Sequence, residues 1–176
     1  MISIINKANW RIADEYFMQY KTTLETDFPI LDGKTIEICE SKEYHNQFII
    51  DLDSPTQMML KDEDSELNND TIFFVRDYRN NTDSIEKDFT EKELFALISH
   101  ELGHLAAYYR NEDSNDEKLA DDCASKLGLK DAILAAVRKM LEHYDNSPDR
   151  KFDCINDPQK QKRRKYEERI IALSNS

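Results

Sequence analysis

Apolar residues recur at a helical interval through residues 4–26, at Ile5, Trp10, Ile12, Ala13, Phe17 and Leu24, and this spacing predicts a helix. Asp32-Gly33 then marks a turn. Thr35 to Cys39, Gln47 to Leu52 and Thr71 to Val75 are short runs rich in Ile and Phe, and each predicts a strand. The acidic stretch from Asp62 to Asp70 predicts a loop.

From residue 90 onward the pattern is helical. Thr90 can cap a helix, Glu93 completes a capping box, and Phe89 with Leu94 can close a hydrophobic staple. This helix is expected to run to about Arg110 with Leu94, Leu97, Ile98, Leu102 and Leu105 on its apolar face, which makes it the central helix packed on the sheet. A shorter helix is expected from Asn115 to Leu127, ended by Gly128. Two more are expected, from Ala132 to Tyr144 and from Pro158, capped by Asp157, to near Leu173. The order predicts an α+β fold of one domain. A small, mainly antiparallel sheet and a helix fill residues 1–89, and residues 90–176 form a helical, metal-binding half.

Composition narrows the function classes. The formal charge of −12 opposes a nucleic-acid partner, which needs a basic face to displace counterions from phosphates. The locally basic stretch from Lys160 to Lys165 runs straight into Glu167 and Glu168, so it reads as a solvated helix face. The three cysteines, Cys39, Cys123 and Cys154, have neither the spacing of a metal knuckle nor an even count. Free thiols, no signal-peptide pattern at the start and no apolar run long enough to span a bilayer lead us to expect a cytoplasmic protein without membrane partners.

The chemistry concentrates in His100-Glu101-Leu102-Gly103-His104. Histidines at i and i+4 on a helix lie about 40° apart around the axis and about 6 Å apart along it. Both imidazoles can therefore reach one tetrahedral ion at roughly 2.0–2.1 Å. Glu101 projects toward the same side, where it can take a proton from a water activated by a zinc ion. The chain has four histidines. With so few, chance would produce this pattern about one time in a hundred or less, which makes it a specific signal. The plainer reading, two satisfied histidines beside a surface glutamate, explains less, because the motif also sits on a well-capped apolar helix.

A zinc peptidase needs a third protein ligand and an open fourth position. Glu117, Ala120, Asp121 and Ala124 share one face of the next helix, and the alanines permit close approach. Glu117 is the favoured ligand, with Asp121 behind a ligand histidine, accepting from its other N–H. Spacing alone leaves an alternative open. Ser114 to Glu117 is itself a possible capping box, in which case Asp121 or Asp122 would be the ligand.

His100-Glu101-Leu102-Gly103-His104, followed by Glu117-Lys118-Leu119-Ala120-Asp121-Asp122-Cys123-Ala124 and by Leu127-Gly128, resembles the gluzincin metallopeptidases, in particular their HtpX-like, CAAX-prenyl-protease and ImmA/IrrE groups. The resemblance covers roughly residues 90–140. It implies a zincin-like domain with His100, His104 and Glu117 as zinc ligands and Glu101 as general base. A weaker echo of the HtpX-like group lies in Asp157-Pro158 and Arg169-Ile170-Ile171-Ala172-Leu173, but Asp157 stands where that pattern has histidine and the spacer is longer. The echo assigns the C-terminal helix no role in the site.

Three further expectations complete the reading. A tetrahedral intermediate needs a donor for its oxyanion, and His45, His143, Tyr144 and Arg169 are available with nothing to choose among them. Tyr108 and Tyr109 are expected to be packing residues. The strand Gln47 to Leu52 or Thr71 to Val75 could offer an edge to an extended substrate. The function these features imply is zinc-dependent hydrolysis of peptide bonds in an intracellular protein or peptide. The alternative is a regulatory, partner-binding protein that keeps zinc for structure. The intact Glu101 favours the enzyme, since a structural site needs no base.

Overall fold

The computed structural model describes residues 1–8, 11–40, 55–61, 67–75, 88–146 and 158–175. Strand β1 (Ser3–Asn6) leads to helix α1 (Arg11–Asp27), a short 3-10 turn (Pro29–Leu31) and strand β2 (Thr35–Glu40). Strands β3 (Thr56–Met59) and β4 (Asp70–Phe74) follow, then helices α2 (Glu91–Tyr109), α3 (Glu117–Lys126), α4 (Lys130–Asn146) and α5 (Pro158–Asn175). The α+β class with a helical C-terminal half is as the pattern predicts.

Two features differ. The helix expected over residues 4–26 begins only at Arg11, and Ser3–Asn6 is a strand in register with Thr35–Ile38. Its alternation has period two: Ile2 is buried, Ile4 packs on the core and Ile5 is exposed. The isoleucines are β-branched and suit a pleated strand better than a helix. The sheet, expected to be mainly antiparallel, is mixed, in the order β1-β2-β4-β3. β1 pairs parallel to β2, β2 parallel to β4, and β3 antiparallel to β4. Once residues 3–6 are a strand, α1 becomes the crossover that a parallel pair requires. The predicted strand Gln47 to Leu52 lies outside the described residues.

Each face of the sheet contributes buried apolar side chains. Ile36, Ile38, Ile72 and Phe74 join the main core, while Cys39 and Phe73 pack with Leu67 and Met59 on the other side. β2 also buries Glu37, which accepts from Lys7 and Asn69.

Helix α2 is the hub. Its capping box is formed: Thr90 accepts from the Glu93 N–H, and the Glu93 carboxylate accepts from the Thr90 N–H. Every residue from Glu93 to Gly103 is buried, so the helix is enclosed well beyond one stripe. Phe95 lies against Tyr16 and Phe17 of α1, with ring centroids 4.9 Å away in each case. The hydroxyl of Tyr109 donates to Asp70 at the start of β4, tying the end of α2 to the sheet.

α2 ends where Asn111 takes a left-handed conformation (φ 57°), which asparagine tolerates. The Glu112 N–H reaches back to the Ala107 carbonyl at 3.0 Å, closing a Schellman-type cap. The chain then returns as α3 against α2. Gly103 makes the approach possible: a Cβ there would sit 2.5 Å from the Ala120 carbonyl oxygen and 2.6 Å from its Cα. Gly103→Ala should destabilise the fold by about 1–3 kcal/mol, since the clash with rigid backbone outweighs the gain in helix propensity. Urea unfolding measures it, and unchanged stability would mean that α2 and α3 are not this closely apposed.

Candidate metal centre

Three ligand atoms converge between α2 and α3. Nε2 of His100 and Nε2 of His104 stand 2.9 Å apart, with ring planes at 81°. Oε2 of Glu117 lies 3.3 Å from Nε2 of His100. All three atoms fall within 4.8 Å of one another.

The cap of α3 explains why Glu117 is there. The N-cap is Asp116, whose carboxylate accepts from the N–H groups of Lys118 and Leu119. Ser114 does not open the helix, so Glu117 is the first helical residue and its side chain is released from capping. The two alternative ligands are used elsewhere. Asp122 is exposed and pairs with Lys126 at 2.7 Å. Asp121 lies behind His100, its Oδ1 2.8 Å from Nδ1.

Arg169 of α5 completes the arrangement. Its Nε is 2.9 Å from Oδ2 of Asp121 and its Nη2 is 2.7 Å from Oδ1, a bidentate pair, while Nη1 lies 3.2 Å from Oε2 of Glu117. Arg169, Asp121 and His100 are 7%, 4% and 4% exposed, so these charges are buried together. The guanidinium is thus committed to two carboxylates. Of the other oxyanion candidates, His143 and Tyr144 do not line the cleft at this site, and His45 lies outside the described residues.

Burial alone would raise the Asp121 carboxyl, but the hydrogen bond from His100 and the Arg169 charge hold it below the usual carboxylate range. Glu117 is likewise raised by burial yet drawn down to about 2, by its contact with His100 and then by Arg169. Both are ionised at neutral pH and can only accept, so Nδ1–H of His100 must donate to Asp121. That directs Nε2 at the cluster. Burial and Arg169 oppose a proton on His100, but Asp121 and Glu117 outweigh them and lift its pKa above the ordinary value. The same two anions favour any cation at Nε2, whether a proton or a metal ion. Burial and the neighbouring His100 lower the pKa of His104, keeping it neutral.

The donor set fits a divalent ion. Two imidazole lone pairs and a carboxylate face one another across distances that an ion at roughly 2.0–2.1 Å from each ligand can bridge. Three protein ligands leave a fourth position open. The cluster lies in a cleft of ≈ 520 Å³. Its walls include Thr56 to Met58 of β3 on one side, with Lys165, Tyr166 and Arg169 of α5 on another. Glu101 lines the cleft too, and one of its oxygens accepts from the Thr56 hydroxyl at 2.9 Å.

The sequence-derived site residues His100, Glu101, His104, Glu117 and Asp121 therefore come together, while β3, Thr56 and the role of Arg169 were not anticipated. Arg169 did carry a signal. It interrupts the buried stripe of Tyr166, Ile170 and Leu173, and a charge in such a stripe needs a buried partner. Thr56-Gln57-Met58-Met59 shows neither alternation nor β-branched enrichment, so nothing in it announced a strand. Among the described residues β3 is the outer strand beside the cleft, whereas β4, one of the two edges considered for an extended substrate, is interior. Cys39 and Cys123 are buried. No described helix is long and apolar enough to cross a membrane. No protein-family model matches this chain, and no curated protein or solved structure does so either.

Competition with a chromophoric chelator measures ion affinity. His100→Ala, His104→Ala and Glu117→Ala should each abolish tight zinc binding, and Asp121→Asn should weaken it roughly 10–100-fold. Asp122→Ala should leave it unchanged. Arg169→Ala should also cost about 3–5 kcal/mol of unfolding free energy, because it strands Asp121 as a buried charge. A strong effect at Asp122 with none at Glu117 would reverse the ligand assignment.

Proposed function

We propose that this chain is a zinc-dependent peptidase that hydrolyses peptide bonds in a protein or peptide substrate. The reading rests on one observation above the others: a His-His-Glu ligand cluster with an open position shares its cleft with a carboxylate, Glu101, that is not needed as a ligand. Zinc is the metal such a donor set suits, and when bound it supplies a Lewis acid that polarises a carbonyl and acidifies a water.

The chain's own residues account for the remaining steps. The Thr56 hydroxyl holds one Glu101 oxygen, and among the described residues the other makes no hydrogen bond, so it can accept the proton of the attacking water. Having taken that proton, Glu101 can deliver it to the departing amine. Asp121 keeps the His100 ring oriented, with Nδ1–H toward itself and Nε2 toward the cluster, and Arg169 holds both Asp121 and Glu117 against their mutual repulsion. Strand β3 lines the cleft beside the ligand cluster, so a substrate lying along that wall would bring its scissile carbonyl to the ligands.

Glu101→Gln tests the reading, since it conserves shape and removes the base. The variant should retain zinc and its melting temperature, yet lose peptide cleavage by several orders of magnitude, measured against substrates from a proteome-wide cleavage screen. Equal cleavage by both forms would sink the mechanism. Zinc bound tightly, with no substrate cut by either form, would favour a regulatory role in which the ion is structural.

A further inference from the structure

The cleft is electrostatically unlike the rest of the chain. The formal charge is −12, yet the α5 wall of the cleft presents Lys162, Lys165 and Arg169, three and four residues apart on one helix face. Opposite them Pro55, Thr56, Gln57 and Met58 carry no charge. Among the described residues, Glu101 and Glu117 are the only carboxylates lining it, and both are engaged, with Thr56 and with His100 and Arg169.

The three cations are not equivalent. Arg169 is spent on Asp121 and Glu117. Lys165 is exposed, and no described residue offers it a hydrogen bond or ion pair. Of the two acids that follow it on the helix, Glu167 pairs with Arg163 and Glu168 with Arg164, the latter at 2.7 Å. Lys165 also borders a smaller recess of ≈ 220 Å³ lined by Glu101, His104, Ser114, Asn115 and Glu117, directly beside the ligand cluster. An ammonium group on a flexible stem at that point can reach a substrate group adjoining the scissile bond.

We propose that Lys165 is a specificity-determining residue that selects substrates bearing a carboxylate next to the cleaved bond, either an acidic side chain or a free C-terminus. This rests on the peptidase reading above and adds the substrate class.

Peptide hydroxamates test it without requiring turnover, since they bind through an open metal position and are not cleaved. Four ligands share the hydroxamate and differ in the residue beside it or at the end: glutamate, glutamine or lysine with an amidated terminus, and glutamine with a free carboxylate. Calorimetric titration of the zinc-loaded native chain should show the glutamate ligand or the free acid binding roughly tenfold tighter than the amidated glutamine ligand, the worth of one charge-assisted hydrogen bond. Whichever of the two gains identifies the source of the carboxylate. The advantage should shrink with added salt. Lys165→Glu should reverse the order in favour of lysine at unchanged zinc content, and Lys165→Arg should preserve it. Equal binding of all four ligands, or a preference that survives Lys165→Glu, overturns the specificity while leaving the open metal site intact. Failure of every hydroxamate to bind overturns the underlying reading and the specificity with it.

Discussion

The approach of α3 to α2 at Gly103 is the contact on which the site depends. With no side chain at Gly103, the backbone of Ala120 can lie where a Cβ would otherwise be. That proximity carries Glu117 and Asp121, three residues before Ala120 and one after it, to opposite nitrogens of the His100 ring. The glycine costs helix propensity, and the buried ion cluster costs desolvation. Both are offset only when the helices meet, because each charge then has a partner and each ring nitrogen a direction.

The charge cluster also makes the C-terminal helix part of the site. Arg169 is buried against Asp121 and Glu117, and without it Asp121 would keep only its hydrogen bond from His100. α5 is therefore held to the rest of the chain by more than the packing of Tyr166 and Leu173. Its position sets one wall of the cleft, and β3 sets the other. The hub helix α2 lies between them and presents His100, Glu101 and His104 from a segment in which every other residue packs on something. A site built on enclosed helices in this way keeps its geometry before a ligand arrives, as catalytic and metal-binding constellations require.

Charge is distributed with the same economy. The carboxylates that would repel one another in the centre are held by Arg169, and Lys165, with no ion-pair partner among the described residues, borders the same cleft.

Much of this was legible in the chain itself, for reasons of range. The start of α2 follows from Thr90 and Glu93, and the pairing of His100 with His104 follows from helical geometry, because both concern residues a turn apart. The stop at Gly128 is of the same kind. Residues 3–6 were misread because a helical period was carried through a short run whose strand character depends on a partner some thirty residues away, and the parallel sheet followed from that pairing. Spacing left Glu117 in competition with Asp121 and Asp122. The actual cap, Asp116, and the direction of α3 after Asn111 resolved the three into an atom facing the histidines, an atom behind His100 and an exposed partner for Lys126. Only the tertiary structure brought Thr56 to Glu101 and Arg169 to Asp121, across 45 and 48 residues, since no local pattern encodes which distant surfaces will meet once the apolar faces are buried.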